Sequence, residues 1–589
     1  MIQGIAMSEL FKLIVSSRFV RVVAITTIAA GCHAATRPAG VEVEFVPVVS
    51  PSPVRAEHGM VVSTERRASQ VGRAVLRAGG NAVDAAIASG FALAVTHPAA
   101  GNVGGGGFMV IRFPEGEATA IDFREKAPLS AHAEMFLDEN GEYSREIHHN
   151  SHRAVGVPGT VAGFALAHQL YGKLPWEQLV RPAVDLAEEG FVLTQALARS
   201  LATLVERYQQ YPATIEAFSR NGEPYAAGET LRQPDLARTL RRIMRHGRDG
   251  FYRGETARLI AAEMSRGGGV ITEEDLARYE AQERTPIRGT YRGYDIISMP
   301  PPSSGGVALV EMLNVLEGYG LEAMGHNSAA YIHHLAEAMR LAYRDRALLL
   351  ADVDFVDVPI ERLTSKSYAA ELRRQIDESV AGVSAPSDLG LPYESEETTH
   401  YSVVDEDGMA VSVTYTLEQG YGSKIVVPGA GFLLNNEMGD FNPKGGLTTP
   451  EGLIGTSPNL ARPEQRMLSS MTPTIIAKDG ELVAVVGSPG GRTIINSVLQ
   501  VILNIVEFNM NIQRAVDARR LHHQWLPDIV RIEGGGVTAE TLRRLREMGH
   551  DVTVRGRQGR THSIMIDPIT KERLGAPDSR VPDAGAVGY

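Results

Sequence analysis

The chain has 589 residues, a formal charge of −12, 43% hydrophobic and 22% charged side chains, ordinary proportions for a protein with a large buried core. The mild acidity and the lack of any dense Lys/Arg stretch exclude a phosphate-tracking nucleic-acid binder, and a single cysteine excludes a disulfide within the chain. Length alone suggests about four domains at roughly 150 residues each, and there is no internal repeat.

The N-terminus carries Lys12, Arg18 and Arg21, then an apolar run over 22–30 and Gly31-Cys32. A basic region followed by a short apolar one reads as an export signal over 1–32, too short to span a bilayer. The Ala29-Ala30-Gly31-Cys32 ending resembles a bacterial lipobox, in which Cys32 would be lipidated, with Ala29 standing where Leu is commoner. A plain secretory signal with an incidental cysteine is the other reading. Residues 33–57, rich in Pro, Val and Ser between 36 and 53, read as a tether.

A short strand is predicted at 59–63. Helices follow at 68–78 and 82–95, divided by Gly79-Gly80-Asn81, a glycine C-cap and an Asn N-cap. The tract Gly104 to Gly107 leads into an apolar run at 108–113, and a further strand is predicted at 119–123. Helical periodicity marks 161–171, 236–246 and 329–350, interrupted by Pro300-Pro301-Pro302-Ser303-Ser304-Gly305-Gly306. Residues 379–397, rich in Ser, Pro, Gly and Glu, read as an exposed loop. Strands at 401–404 and 409–416 are joined by Asp405-Glu406-Asp407-Gly408. A buried strand at 482–486 runs through Gly487-Ser488-Pro489-Gly490-Gly491 into an apolar helix at 493–508, an order that turns backbone N–H groups outward at a helix start.

At Glu396-Glu397-Thr398-Thr399-His400-Tyr401 an acidic loop meets a strand with two threonines at the junction. Read structurally, this is a β-branched strand start after a solvated charge run. Read functionally, it is a cleavage junction that frees a threonine as a new N-terminus. A threonine hydroxyl needs a base, and a freed α-amine, with a reference pKa of about 7.7–8.0, can act as that base within its own residue.

Thr398-Thr399-His400-Tyr401-Ser402-Val403-Val404-Asp405 resembles the processing site of γ-glutamyltranspeptidases. Gly101 to Phe108, Asp122-Phe123-Arg124-Glu125, Pro158 to Gly163 and Met299 to Gly306 resemble that family's large subunit in order. Leu468 to Met471, Gly487 to Gly491 and His522 to Pro527 resemble its small subunit. The similarity runs from about His58 to Tyr589. It implies an α+β fold, the four-layer αββα sandwich of N-terminal-nucleophile hydrolases, cut into a large fragment, 58–397, and a small one, 398–589, that share one core as a heterodimer. It implies that Thr398 is the nucleophile both of cleavage after Glu397 and of substrate attack. Thr416 would hydrogen-bond the Thr398 hydroxyl. Arg124, Ser469 and Ser470 would hold the donor's α-carboxylate, and Glu418, Glu437 and Asp440 its α-amine. The N–H groups of Gly490 and Gly491 would form the oxyanion hole. The residue types suit the chemistry: a guanidinium and hydroxyls for a carboxylate, carboxylates for an ammonium. The reaction implied is transfer of the γ-glutamyl group of glutathione or a similar donor to water, an amino acid or a peptide, with no metal or organic cofactor.

Two departures stand out. Glu418 occupies a position where several members carry Asn, and in the lid-like segment 442–463 Glu451 lies near where a Tyr is expected. A glutaryl (cephalosporin) acylase of the same family would bind a substrate without the α-amine, against which the acidic set Glu418, Glu437 and Asp440 argues. A catalytically dead peptide-binding lipoprotein is the rival of another class, against which Thr398, Thr416 and Gly490-Gly491 argue. Gly104 to Gly107 lacks a following Gly-Lys-Ser/Thr and is not a phosphate loop. His522-His523 reads as structural rather than metal-binding, and the Met residues of the apolar helices as core filler.

Overall fold

Several strands of this chain are buried at every position, because both of their faces are covered. In a computed structural model, which describes residues 45, 46, 48–386 and 398–589, Met60, Val62, Phe108 and Val110 face one core, while Val61, Met109 and Ile111 face another. The export signal, Cys32, most of the tether and Glu397 lie outside the described residues.

Two seven-stranded sheets hold fourteen strands: β1 (Val54–Ala56), β2 (Met60–Ser63), β3 (Gly106–Arg112), β4 (Ala118–Phe123), β5 (Gln282–Arg284), β6 (Ile287–Tyr291), β7 (Tyr294–Ser298), β8 (Thr399–Val404), β9 (Ala410–Thr416), β10 (Thr474–Lys478), β11 (Glu481–Val486), β12 (His562–Ile566), β13 (Arg573–Pro577) and β14 (Gly585–Gly588). One sheet runs β14-β2-β8-β9-β3-β4-β5 and the other β1-β13-β12-β11-β10-β7-β6, with every neighbouring pair antiparallel. The sheets pack face to face. Helices α1 (Arg66–Arg77), α2 (Ala82–Thr96), α3 (Thr160–Tyr171), α4 (Trp176–Glu189) and α5 (Pro234–His246) build the core outside the first sheet. Helices α6 (Gly305–Leu316), α7 (Ala329–Leu349) and α8 (Thr493–Val506) build the core outside the second. This is the αββα layering that the resemblance implies.

The described residues form one compact unit rather than four domains, because the two sheets share a single interior to which distant parts of the chain contribute. Asn81 caps α2 in a reciprocal capping box with Asp84. The strand at 481–486 is fully buried only in its second half, with Leu482 and Val483 packed partly exposed against the core and Glu481 exposed. The apolar helix after it stops at Val506, two residues short of the predicted end. Among the described residues no helix is long and apolar enough to cross a membrane.

Candidate functional site

Strand β8 begins at Thr399, which pairs with Tyr415 of β9. One step further out the same register sets Thr398 opposite Thr416, and both side chains line one cavity. Thr398 is 5% and Thr416 2% exposed, so neither is an ordinary solvated hydroxyl at a strand end. The Thr416 hydroxyl accepts a 2.8 Å hydrogen bond from the Glu418 N–H, which turns the chain at a positive φ of 77° and aims the Glu418 carboxylate back into the cavity.

The same cavity is lined by Arg124, Glu418, Glu437, Asp440, Ser469, Ser470, Met471, Gly491 and Ile494. Nine of the ten residues to which the sequence assigns a catalytic or binding role therefore converge there, and the tenth, Gly490, adjoins Gly491. Glu451 does not join them. It is exposed, and its carboxylate accepts from the Thr449 hydroxyl at 2.5 Å, so in this arrangement it stands apart from Glu418.

Arg124 follows the last residue of β4 and is fully buried. Its Nη1 and Nη2 bond Glu437 and Asp440, its Nε donates to the Met467 carbonyl at 3.2 Å, and Glu125 Oε2 lies 3.6 Å from Nη1. Burial alone would lower the guanidinium pKa, but Glu437, Asp440 and Glu125 outweigh it and hold it above its usual value. The buried carboxyls beside it are shifted upward too, which for an acid favours the neutral form. Burial raises Glu437 well above the carboxylate range against the pull of Arg124, helped by Glu125, Asp440 and Glu418. Burial likewise pushes Glu125 up to about 8, and neither of its oxygens has a hydrogen-bond partner. Burial outweighs the single guanidinium at Glu125 and Glu437, so these two carboxyls hold a proton more tightly than free ones do. Such a site accepts a zwitterion readily: an incoming carboxylate takes the guanidinium, and an incoming ammonium replaces the retained protons among the acids.

Ser469 and Ser470 are held by residues to which the sequence assigned no role. The Ser304 hydroxyl donates to the Ser469 carbonyl at 2.6 Å, and Ser303 Oγ donates to the Met471 carbonyl at 2.5 Å. Arg346 of α7 donates to Ser470 Oγ and Ser304 Oγ, each at 2.9 Å. The Pro300 to Gly306 motif is thus the cradle of the 469–471 segment. Asn435 and Asn436 are also missed. Asn435 Nδ2 spans the Gly104 and Gly156 carbonyls at 2.9 and 2.8 Å, and Asn436 Nδ2 donates to Glu418. A buried polar residue amid apolar neighbours is the signal that could have found these.

Strand β11 ends at Val486, and the next residue has to be glycine: a Cβ at Gly487 would lie 2.2 Å from the ring of His400 on β8. Gly490 and Gly491 then take φ of +135° and +53° before α8 begins. Their carbonyls accept from Thr493 and Ile494, while among the described residues neither of their N–H groups donates a hydrogen bond. His522 and His523 are engaged elsewhere, with Asn496 and Gln524 and with Asp528 respectively.

Residues 68–588 match the family described as Gamma-glutamyltranspeptidase. The chain belongs to the γ-glutamyltranspeptidase family. It is an enzyme of γ-glutamyl transfer and hydrolysis. It is 49% identical to a glutathione hydrolase proenzyme of Escherichia coli over 540 residues, which are 91% of this chain and 93% of the relative. Among solved structures, a cephalosporin acylase from Bacillus halodurans is similar with a TM-score of 0.81 at 28% identity, over 95% of this chain and 99% of that one. A γ-glutamyltranspeptidase chain of Helicobacter pylori is similar with a TM-score of 0.54 at 45% identity, over 57% of this chain and 95% of that one.

Proposed function

We propose that Thr398 is the nucleophile of this enzyme and that the chain matures by cutting itself between Glu397 and Thr398. The observation that carries the reading is the convergence of Thr398, Thr416, Arg124, the three acids, the serine pair and Gly491 on one cavity. In the precursor the Thr398 hydroxyl attacks the Glu397 carbonyl, the peptide C–N bond breaks, and the resulting ester is opened by water. The products are a Glu397 carboxylate and a free Thr398 α-amine. In turnover that amine accepts the hydroxyl proton while Oγ attacks the donor's γ-carbonyl. The oxyanion is met by the Gly490 and Gly491 N–H groups. The proton passes to the leaving amine, and water or an amino-acid or peptide acceptor then takes the γ-glutamyl group from Thr398.

Arg124, Ser469 and Ser470 hold the donor's α-carboxylate, and Glu418, Glu437 and Asp440 its ammonium. The acidic set favours a γ-glutamyl over a glutaryl donor, because a glutaryl group leaves the three acids without a cation. The products of cutting are a heterodimer of 58–397 and 398–589. Residues 58–397, 340 of the 589, are close to the 57% of this chain that corresponds to the solved Helicobacter chain. Export, with lipidation at Cys32, follows from the N-terminal pattern alone.

Thr398→Ala tests the reading. It removes one hydroxyl and one methyl from a site anchored on both sheets, so the protein should fold, remain a single band on a denaturing gel and be inactive. Mass spectrometry of the wild type should find Thr398 as the first residue of the small fragment. A fragment starting at Thr399, or an active uncut Thr398→Ala protein, defeats it.

A further inference from the structure

Away from the catalytic cavity, α7 and the turn after residue 548 bring together His333, Glu337 and His550, whose ligand-type atoms all lie within 4.8 Å of one another. All three are buried. His333 and Glu337 are one helical turn apart and share a face of α7. His333 Nε2 lies 2.7 Å from the Asp377 carbonyl, which can only accept, so this nitrogen carries the proton and Nδ1 presents a lone pair inward. Nδ1 faces His550 Nε2 at 2.8 Å. Glu337 is oriented by the Gly382 N–H at 2.9 Å and by Arg340 at 2.6 and 3.1 Å.

We propose that His333, Glu337 and His550 bind a divalent transition metal of the Zn²⁺ type, with water completing the coordination. Two imidazoles and one carboxylate are a ligand set that zinc accepts. Metal-bound histidines commonly donate their second N–H to a carbonyl, and metal-bound carboxylates are themselves hydrogen-bonded; His333 and Glu337 have both features. With bonds of about 2.0–2.1 Å, tetrahedral nitrogen ligands sit roughly 3.3 Å apart, so on metal binding the two rings open by about half an ångström, His550 carries its proton on Nδ1 instead of Nε2, and the Glu337 oxygen closes in from within 4.8 Å. The charge also fits. The groups facing the histidines include the carboxylates of Glu337, Asp377 and Asp528 and the guanidinium of Arg340, and with neutral imidazoles these sum to −2.

The ion would be structural, since none of its ligands lines the catalytic cavity. It would reinforce a seam already made by Ala381 N–H to the Met548 carbonyl at 2.7 Å and Ser384 to Asp528 at 2.8 and 2.9 Å. On the cleavage reading above, and resting on it, the ion joins the large fragment to the small one.

The test uses the untagged full-length enzyme, stripped with EDTA and titrated with Zn²⁺ by calorimetry, with bound metal counted by mass spectrometry. One Zn²⁺ per chain is expected, with a melting temperature that rises on Zn²⁺ addition. Glu337→Gln and His550→Asn should each weaken Zn²⁺ binding at least about tenfold and lose the Zn²⁺-dependent rise. Thr398→Ala should bind Zn²⁺ as the wild type does, which separates this proposal from the cleavage reading. Should both ligand variants fail to fold, the wild-type stoichiometry and the visible absorption of the Co²⁺-substituted enzyme still decide. Substoichiometric Zn²⁺ in the wild type, or unaltered binding in both variants, would reduce the cluster to a histidine–histidine hydrogen bond and overturn the proposal.

Discussion

Arg124→Lys tests the carboxylate site at its most demanding contact. The guanidinium spans three groups, the Met467 carbonyl and the Glu437 and Asp440 carboxylates, so it is fixed in one plane before any donor arrives. A lysine keeps the charge but offers a single nitrogen that cannot face two carboxylates and an incoming one in that geometry. At least one charge-assisted hydrogen bond to the donor is lost, at a cost of about 1.5–3 kcal/mol. At about 1.36 kcal/mol per decade, kcat/KM for a γ-glutamyl anilide should fall roughly 10- to 150-fold, mostly through KM. Self-cleavage does not involve the donor's carboxylate, so both fragments should still appear on a denaturing gel. Steady-state kinetics on the cleaved variant is the assay. A cleaved Arg124→Lys enzyme with an unchanged KM would remove Arg124 from donor binding and undo the assignment of the serine pair beside it.

Gly490→Ala forces a side chain onto a φ of +135° and sets its Cβ 2.5 Å from Thr493 Oγ1; kcat should drop by about 10²–10³, as for loss of one oxyanion donor, and an unchanged kcat would exclude this turn from the reaction. Glu125 is raised from 4.5 to about 8 in the folded protein, so its contribution to stability is complete below pH 4.5 and lost as pH rises through about 8. The melting temperature should therefore decline over that interval and decline less in Glu125→Gln; an identical pH profile for the two proteins counts against the shift. Cys32→Ser should release active enzyme from the membrane fraction of cells, and a wild type that already fractionates as soluble ends the lipidation reading.

Helices α2 and α7 and the strand start at Thr399 are legible in the sequence because their signals are local: an Asn81 cap, an apolar period over 329–350, a charged loop meeting two threonines. The sheet order is not. β3 is buried on both faces and apolar from Phe108 to Ile111, so it carries no polar alternation from which pairing could be read, and β9 alternates although both of its faces are buried. The convergence of Arg124 with residues more than 300 positions away is reached only through the family resemblance. Arg346 shows the limit of that route. It lies on a helix whose periodicity is plain, yet its partner Ser470 is 124 residues distant, and no spacing rule connects them. His333 and His550, 217 residues apart, are likewise invisible before folding. Glu451, read from the resemblance as lying near an expected lid Tyr, is exposed and bonded to Thr449, apart from the cavity.

The order of the strands has a consequence for how this protein can be made and unmade. In one sheet β8 and β9 lie between β2 and β3; in the other β10 to β13 lie between β1 and β7. A cut before Thr398 therefore leaves two polypeptides woven through each other, not two bodies resting side by side. They cannot part without breaking hydrogen-bonded ladders in both sheets, and once parted each keeps only a piece of a sheet, β3 to β5 in one fragment and β10 to β13 in the other. Assembly information is thus spent during the folding of the single chain. The mature enzyme would persist through a slow rate of unravelling, and its heat inactivation would depend on scan rate and show little recovery on cooling.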